Sequence, residues 1–362
     1  MLSRRRFLGY ASILPLYLGI GRFRKSTSYF QPEDNLSDFC KRLVPVGRIL
    51  ETKGYYVWGA SPIKAPDGKI HVFYSRWKAE KKMGGWLNSS EIAHAVADSP
   101  ESTFQYVDTV FSPRSEGYWD GTTCHNPHIK EVDGKYCLFY MGNSNRKMDT
   151  KRIGLAIAES LDGPWKRPDA PLLEPSTEPG TWDNFCTTNP SFIKHPNGQY
   201  WLYYKSWNAE EYYNYTNPHI RGNRKYGLAI ADKLEGPYIK YKGNPVIDFS
   251  SRGNNTQFED AYVWHEDGKF KLISRDMGIF GHTYGLYMES EDGIKWSEPV
   301  IAYFDADHYF KQPSPPSYLS KYGRFERPQL LLVDGHPTYL FLATQGGKYL
   351  TSSAYVFKIK GI

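Results

Sequence analysis

Acidic residues recur where the sequence predicts that β-strands begin, which makes them candidates for acid–base chemistry. Asp260 and Glu326 open apolar strands, and Asp120 and Asp183 lie in two matching phrases, Trp119-Asp120-Gly121 and Trp182-Asp183-Asn184. Glycoside hydrolysis requires one carboxylic acid to protonate the leaving oxygen and one carboxylate to activate water or attack carbon. Several carboxylates converging beside aromatic side chains would therefore indicate cleavage of a glycosidic bond. The alternative for any single one of them is a structural role, such as capping a strand end or binding loop amides.

A phrase that occurs five times predicts how these residues are positioned. Each copy has a polar residue, usually before proline, at the start of an apolar strand, then a Gly-containing turn and a second aromatic or apolar strand. Pro62, Pro127, Pro190, Ala261 and Pro328 mark the copies, which are spaced by about 63 to 71 residues, too long for a solenoid repeat. This spacing predicts an all-β fold, a five-bladed β-propeller, in which the first strands surround a central funnel.

Two rows of residues are expected to face this funnel. The residues before the five marker positions are Ser61, Asn126, Asn189, Asp260 and Arg327, and one position earlier stand Ala60, His125, Thr188, Glu259 and Glu326. Because side chains alternate along a strand, Glu259 and Asp260 can both face the funnel only if a β-bulge intervenes. The second strands are expected to add Arg76, Trp77, Lys205 and Arg275.

The ends of the repeat region predict how the ring closes. The fifth repeat stops after three strands, at residues 353–359, and residues 42–50 have the apolar pattern of an outer edge strand. We expect that segment to supply the missing strand, since a closed ring leaves no free sheet edge there. The predicted organisation is an export signal over residues 1–25, a linker and closing strand over 26–49, and one catalytic propeller domain over 50–362.

The N-terminus predicts export. Ser3-Arg4-Arg5-Arg6-Phe7-Leu8 and the apolar run at residues 10–20 are typical of a twin-arginine signal. The run is too short to span a bilayer stably. An uncleaved signal anchor is the alternative, because no clear Ala-x-Ala cleavage site follows. We expect the mature protein to be periplasmic or secreted, with no membrane contact after signal removal.

Composition argues against several other classes of protein. The net charge of +6 is spread over 362 residues without a basic stripe, which argues against nucleic-acid binding. The four cysteines lack C-x-x-C spacing, which argues against a zinc site. Aromatic residues make up 16% of the chain, as suits β-strands and packing between blades, with a few Trp left for sugar stacking. The sequence predicts no cofactor and no catalytic metal, and leaves open a structural calcium ion in the central channel.

The repeat region resembles the five-bladed β-propeller glycoside hydrolases, a group that includes families 43 and 117, over nearly the whole chain after the signal. In family 43, Asp-Pro phrases open the blades that carry the base and a pKa-tuning carboxylate, and a Glu-x-Pro phrase opens the blade that carries the acid. The resemblance implies that Glu326, in Glu326-Arg327-Pro328, is the general acid. It implies that Asp260 tunes the acid or acts as the base.

The chain departs from the family 43 pattern where a base would stand. Ser61-Pro62, Asn126-Pro127 and Asn189-Pro190 occupy those positions, so Asp120 is a rival candidate for the base. Family 117, the other family named in this group, uses a histidine as the acid. Resemblance to it implies His125 and His282 as alternative acids.

These considerations predict an exported glycoside hydrolase that is exo-acting and inverting, with an oligosaccharide or polysaccharide as partner. The candidate catalytic residues are Glu326, Asp260, Asp120 and His125. The candidate substrate-binding residues are Arg76, Trp77, Asn126, Asp183, Asn189, Lys205, Glu259, Arg275, His282 and Arg327. The cationic members suit a uronate or sulfate group, because Arg pairs bidentately with such anions. Alternatively they pair internally with Glu326 and Asp276.

Other functions on the same scaffold stay open. A polysaccharide lyase would need only a base, such as His125 or a Tyr, and a neutralised uronate. A glycoside phosphorylase would hold inorganic phosphate on the cations. A non-catalytic carbohydrate-binding propeller is the third alternative, since Asn-Pro stands where Asp-Pro bases are expected.

Overall fold

The computed structural model describes residues 32–214, 221–253 and 256–361 and consists mainly of β-strands. In chain order the strands are β1 (Leu43–Leu50), β2 (Tyr55–Lys64), β3 (Ile70–Lys78), β4 (Glu91–Ala97), β5 (Gln105–Phe111), β6 (Thr123–Val132), β7 (Lys135–Asn143), β8 (Arg152–Ala158), β9 (Thr188–Lys194), β10 (Tyr200–Ser206), β11 (Lys225–Ala231), β12 (Ile239–Lys240), β13 (Gln257–Glu266), β14 (Lys269–Met277), β15 (Gly285–Ser290), β16 (Val300–Tyr303), β17 (Glu326–Val333), β18 (His336–Gly346) and β19 (Thr351–Ile359). The α-helices are single turns, α1 (Asp38–Lys41), α2 (Gly85–Asn88), α3 (Ala209–Tyr213) and α4 (Ala306–Tyr309), beside the 3-10 turns Pro32–Asn35, Ala79–Lys81, Met148–Thr150 and Ser250–Arg252.

The strands form five antiparallel sheets, which are the blades of a β-propeller. Blade 1 contains β2 to β5, blade 2 β6 to β8, blade 3 β9 to β12, blade 4 β13 to β16, and blade 5 β17 to β19 with β1. The first strands β2, β6, β9, β13 and β17 contact one another in a ring. The predicted fold is confirmed, except that the expected edge strand of blade 2 is reduced to two bridges, Ile157 to Lys166 and Ile153 to Leu173.

The ring is closed by the N-terminal strand, as predicted. β1 pairs antiparallel with β19 from Leu43 opposite Ile359 to Leu50 opposite Ala354. Ahead of it, Leu36 bridges Ile301 of blade 4, and Ser37 donates hydrogen bonds to the Ile301 carbonyl through both its backbone N–H and its Oγ. The chain entering blade 5 is therefore fastened to blade 4 as well.

The predicted export signal at residues 1–25 lies outside the described residues. The domain limits predicted from the sequence stay a prediction. Within the part of the chain that the structure describes, no helix combines the length and apolar character needed to cross a bilayer.

Apolar packing between neighbouring blades forms the core. Each of the five large clusters of buried side chains draws on two adjacent blades; the one between blades 2 and 3, for example, joins Phe139 and Leu155 to Phe192 and Leu202. Small residues such as Ala229 in the third strands let the sheets approach closely. The funnel itself can therefore be polar without depriving the protein of a core.

Every first strand carries a β-bulge at the same point. The register with the second strand shifts between Glu259 and Tyr262 in blade 4, and the other four blades shift at the corresponding place. The bulge residues all have a left-handed backbone: Gly59, Asn126, Asn189, Asp260 and Arg327, with φ between 51° and 62°. A bulge turns two consecutive side chains toward the same side. Glu259 and Asp260 can therefore both face the funnel.

The bulges correct the sequence alignment of blade 1. The residue that corresponds to Asp260 is Gly59, two positions before Ser61, so Trp58 rather than Ala60 corresponds to Glu259. Ser61 lies one layer deeper, where its Oγ donates to Oε1 of Gln329 at 3.1 Å. The alignment of blade 1 by its proline was wrong because Pro62 stands two residues later, relative to the bulge, than the proline of the other copies.

Gly59→Ala should destabilise the protein because the Arg327 side chain crosses the axis against Gly59. A Cβ at Gly59 would lie 2.9 Å from Cγ of Arg327, whereas a Cβ at Gly54, which also has a positive φ, would meet nothing within 4 Å. Backbone strain of about 1 kcal/mol should affect both variants, and crowding should add about 1–3 kcal/mol at Gly59 alone. Urea unfolding of both variants measures the difference. Equal losses in free energy of unfolding would contradict this packing.

Candidate active site

A cavity of about 290 Å³ occupies one mouth of the central funnel. Its wall contains the residue before the bulge from every blade, Trp58, His125, Thr188, Glu259 and Glu326, together with the bulge residues Asn126, Asn189 and Asp260. The second strands contribute Met141, Lys205, Arg275 and Met277, and connecting segments contribute Met83, Trp86, Met148, Lys151, Arg224, Lys321 and Arg324. Residues distant in sequence thus share one polar pocket, as the repeat predicted.

The floor of the pocket is a closed chain of hydrogen bonds around the axis. Asn126 Nδ2 donates to Asn189 Oδ1 at 3.0 Å, and Asn189 Nδ2 donates to Asp260 Oδ1 at 2.5 Å. The Arg327 backbone N–H donates to Asp260 Oδ2 at 3.2 Å, and Arg327 Nη2 donates to the Asn126 carbonyl at 3.2 Å. Both oxygens of Asp260 are therefore occupied, and four blades are joined.

This floor does not fit the calcium ion that the sequence left open. The guanidinium of Arg327 is fully buried at the axis, and Asp260 is the carboxylate that faces it. Calcium is bound by six to eight oxygen ligands, and a buried positive charge at the same place repels it.

Glu259 is an ionised carboxylate held by cations of two blades. Lys205 Nζ forms a hydrogen-bonded ion pair with Oε1, and Arg275 Nη1 lies 3.4 Å from Oε2. Burial alone would raise the pKa of Glu259, but Lys205, Arg224 and Arg275 outweigh it and hold the pKa well below its usual range. The side chain keeps 16% of its surface exposed to the cavity.

Glu326 is surrounded by three cations. Its Oε2 lies 3.0 Å from Lys321 Nζ, and its Oε1 lies 3.3 Å from Arg275 Nη1 and 3.2 Å from Arg324 Nη2. Burial would raise the pKa of Glu326, yet Arg275, Lys321 and Arg324 hold it below the usual value. Because Arg275 Nη1 contacts both glutamates, their nearest oxygens cannot lie farther apart than the sum of its two contact distances.

Asp260 differs from the two glutamates in the direction of its pKa shift. Burial and the neighbouring charge of Glu259 raise the pKa of Asp260, although Arg327 and Lys205 oppose the shift. Two carboxyl groups with low pKa values and one with a raised pKa thus stand side by side, an arrangement that is common at catalytic sites.

His125 is a neutral imidazole in an aromatic setting. Its Nδ1 is hydrogen-bonded to Ser90 Oγ at 2.9 Å, and the rings of Trp77 and Trp86 are each centred 5.6 Å away. Burial and the cations Arg327 and Lys321 keep the pKa of His125 well below its usual value. It is therefore uncharged at neutral pH, and its ring lines the cavity wall.

The pocket has an excess of positive charge. Its wall carries six Lys and Arg side chains and three carboxyl groups. Lys205 and Arg275 are internally paired, whereas Lys151 Nζ has no carboxylate within ion-pair distance among the described residues and lies 4.5 Å from the centre of the Trp207 ring. Burial lowers the pKa of Lys151 to about 8. The unpaired charge of Lys151 is therefore available to an anionic ligand.

Several predicted site residues lie elsewhere. Asp120 is fully buried beneath blade 2, where it accepts hydrogen bonds from Tyr140, Arg114 and Arg167. Asp183 repeats this role in blade 3 with Tyr204 and Lys240. The structure does not bring either one to the pocket.

Three further residues from the predicted substrate-binding set are also outside the pocket wall. Arg76 pairs with Glu91 at 2.7 Å, and Trp77 is buried against Tyr56. His282 donates its backbone N–H to Asp276, which organises the loop after β14. Arg327 lies in the floor, while Asn126, Asn189, Lys205, Glu259 and Arg275 line the wall as predicted.

Sequence reasoning missed the residues that reach the pocket from connecting segments. Lys151, Arg224, Lys321 and Arg324 lie outside the repeated phrase, and Trp58 was missed because blade 1 was misaligned. One signal was present: Lys321 and Arg324 stand just ahead of Glu326 in the chain.

The fold and this pocket define a five-bladed propeller whose axial site combines three carboxyl groups with six cations. No protein-family model matches the chain. The chain is 22% identical over 338 residues to Extracellular endo-alpha-(1->5)-L-arabinanase 2 of Bacillus subtilis (strain 168), an alignment that spans 76% of this chain and 64% of that protein. The chain thus spans less than two thirds of the length of this curated relative.

Solved glycoside hydrolases share the fold. Zg3597, a family 117 glycoside hydrolase of Zobellia galactanivorans, matches with a TM-score of 0.63 and 18% identity over 84% of this chain and 85% of that one. CoXyl43, a family 43 β-xylosidase/α-arabinofuranosidase from a compost microbial metagenome, matches with a TM-score of 0.58 and 16% identity over 88% of this chain and 96% of that one. The predicted resemblance to five-bladed propeller glycoside hydrolases is confirmed at the level of fold.

Glu326→Gln should make folding less sensitive to acid. The pKa of Glu326 is lower in the folded protein than its ordinary value of 4.5. Its ionisation therefore contributes stability that is present above pH 4.5 and is lost as the pH falls through the folded pKa. Urea unfolding at pH 6 and pH 3 should show a smaller loss of stability for Glu326→Gln than for the wild type. Glu116→Gln, at an exposed site, should retain the wild-type loss; an unchanged loss in Glu326→Gln would refute the expectation.

Proposed function

We propose that this protein is an exported glycoside hydrolase that removes units from the end of an anionic oligosaccharide or polysaccharide with inversion. The observation that carries the proposal is the convergence of Glu259, Asp260 and Glu326 in one axial pocket rich in cations. The fold shared with family 117 and family 43 glycoside hydrolases supports it. Export rests on the N-terminal sequence, and the relative from Bacillus subtilis is described as extracellular. The partners are saccharides, with no role for nucleic acid or membrane.

The shape of the pocket supports exo action. Its volume of about 290 Å³ is at the lower end of small-molecule sites. The hydrogen-bonded floor of Asn126, Asn189, Asp260 and Arg327 closes it below. A dead-end cavity of this kind accepts the terminal unit of a chain and excludes its interior.

We assign the proton transfers to the two glutamates. Glu326 is the general acid, as the Glu-x-Pro phrase implies, and Glu259 is the base, because it is ionised and the more exposed of the pair. Asp260 acts as the tuning carboxylate, since hydrogen bonds from Asn189 and Arg327 occupy both its oxygens. His125, neutral and in the wall, positions the sugar.

An anionic substrate would also activate Glu326. Lys321 and Arg324 depress the pKa of Glu326 in the free protein, and an acid catalyst needs a proton at working pH. A uronate or sulfate group that pairs with these two cations weakens their electrostatic interaction with Glu326. Its pKa then rises toward the range in which it can protonate the leaving oxygen.

Inversion requires room for water between the carboxyl groups, which are then about 6.5–9.5 Å apart. The shared contacts of Arg275 limit the separation of the nearest oxygens of Glu259 and Glu326 to a value just above the lower edge of this range. Proton NMR of the first product released is therefore the appropriate test. If the first product has the anomeric configuration opposite to that of the cleaved bond, the result supports inversion. If it has the same configuration, the mechanism is retaining and the proposed inversion is wrong.

Glu326→Gln and Glu259→Gln should each lower kcat by at least about 100-fold, because general acid–base catalysis contributes that much or more. The assay measures release of reducing ends from neutral, uronate-bearing and sulfated oligosaccharides, with and without phosphate. Glu91→Gln, which alters a carboxylate outside the pocket, should keep wild-type activity. Circular dichroism checks that each variant folds.

Full activity in both glutamate variants would reject these roles. An unsaturated, ultraviolet-absorbing product would identify a lyase, a phosphate requirement would identify a phosphorylase, and saccharide binding without turnover would identify a binding protein.

Lys151→Met should separate anionic from neutral substrates. It removes the unpaired charge while nearly preserving side-chain volume, so kcat/KM should fall about 10-fold or more for an anionic saccharide. The value for a neutral analogue should hardly change. Lys147→Met, at an exposed position nearby, is the matched control. Equal losses on both substrates would contradict an anion-binding role.

A further inference from the structure

A second cluster of ligating side chains lies away from the axial pocket, between blades 1 and 2. His71 of β3, His94 of β4 and Asp162 of the turn after β8 place one ligand atom each within 4.8 Å of one another. His71 and His94 are 8% and 1% exposed, whereas Asp162 is open to solvent. The cluster is therefore built from buried imidazoles with an accessible carboxylate at its entrance.

The two imidazoles already face each other through their ring nitrogens. His71 Nδ1 and His94 Nε2 are 2.8 Å apart and share one proton in a hydrogen bond. The other nitrogen of His94, Nδ1, lies 3.6 Å from Oδ1 of Asp108. Phe73 stacks on His94 with ring centres 4.7 Å apart and fixes the plane of the imidazole.

The other blades do not place histidine here. His94 stands opposite Phe73, and the residues in the same register of blades 2, 3, 4 and 5 are Leu155, Leu228, Tyr287 and Val356. Burying two imidazoles costs free energy unless their polar atoms gain partners. The single hydrogen bond between the two imidazoles offsets only a small part of that free energy.

The charges around the cluster suit a cation. Both imidazoles are buried, and each has a ring nitrogen that can donate a lone pair to a metal ion. Asp108 adds a second carboxylate beside Asp162, with its Oδ1 3.6 Å from Nδ1 of His94. Two carboxylates that repel each other beside two neutral imidazoles form a donor set for a divalent metal.

We propose that His71, His94 and Asp162 bind a Zn²⁺ ion that fastens blade 2 to blade 1. Zinc takes nitrogen and carboxylate ligands at about 2.0–2.2 Å in a tetrahedral arrangement. The metal takes the place of the shared proton, which moves to the other nitrogen of the same ring, and the two ligating nitrogens separate to about 3.3 Å. Asp108 accepts the Nδ1–H of His94, and water fills the fourth position.

The site would stabilise the blade that lacks a regular fourth strand. The turn that carries Asp162 also carries Trp165, whose ring meets Phe73 edge-on at 5.4 Å. Zinc at Asp162 would add a second, stronger link between this turn and blade 1. The sequence argued against zinc on cysteine spacing alone, and this site contains no cysteine.

The test uses tag-free protein stripped with EDTA, dialysed and titrated with Zn²⁺ by calorimetry. We expect about one Zn²⁺ per chain and a rise in Tm of about 3 °C or more at saturating metal. His94→Leu should fold, since Leu occupies this register in two other blades, but lose zinc binding and the rise in Tm. Asp162→Asn should weaken binding at least about 10-fold.

Glu235→Gln provides the matched control. Glu235 occupies the equivalent turn of blade 3, Glu235-Gly236-Pro237 against Asp162-Gly163-Pro164, and is exposed. This variant should bind zinc as the wild type does. A wild type that takes up no zinc, or a His94→Leu variant that binds it with unchanged affinity, would overturn the proposal.

Discussion

The arrangement of the whole site depends on one cyclic set of hydrogen bonds around the propeller axis. Asn126, Asn189, Asp260 and Arg327 each occupy a β-bulge with a left-handed backbone, a conformation that costs about 1–3 kcal/mol per residue. The hydrogen bonds among them offset that strain and join four blades. Without the bulges, consecutive residues would alternate between the funnel and the blade. Glu259 and Asp260 share the pocket because this strain is tolerated.

The charges above this floor determine what the pocket can accept. Glu259 and Glu326 are ionised because Lys205, Arg275 and Lys321 lie against them, so burial does not neutralise them. These ion pairs within the protein also neutralise most of the positive charge that the sequence analysis had assigned to substrate binding. Unpaired charge remains on Lys151, which comes from a connecting segment. The carboxyl groups that we propose as catalytic and the cation that we propose for ligand recognition therefore come from different parts of the blades.

The repeat was sufficient to predict the blades, the closing strand and the convergence of Asp260 and Glu326, because proline and glycine fix strand starts and turns at a regular spacing. It could not predict Lys151 or Arg224, since connecting segments have no period. The two matched Trp-Asp phrases led to a wrong expectation, that their aspartates would face the funnel. Asp120 and Asp183 recur because each anchors a tyrosine, Tyr140 or Tyr204, inside its own blade.

In a ring of related sheets, residues that are repeated from blade to blade indicate a structural role, and residues that depart from the repeat are candidates for a chemical role. Positions that perform the same packing task keep similar residues, as the small third-strand residues Ala95, Ala156 and Ala229 of blades 1 to 3 do. The five positions before the bulges instead hold four residue types: Trp58, His125, Thr188, and the two glutamates Glu259 and Glu326. Pseudo-symmetry presents five equivalent positions to one cavity, and the proposed binding of an asymmetric saccharide would need different side chains at them. His94 of blade 1 departs from the pattern in the same way, at a position where blades 2 and 3 place leucine.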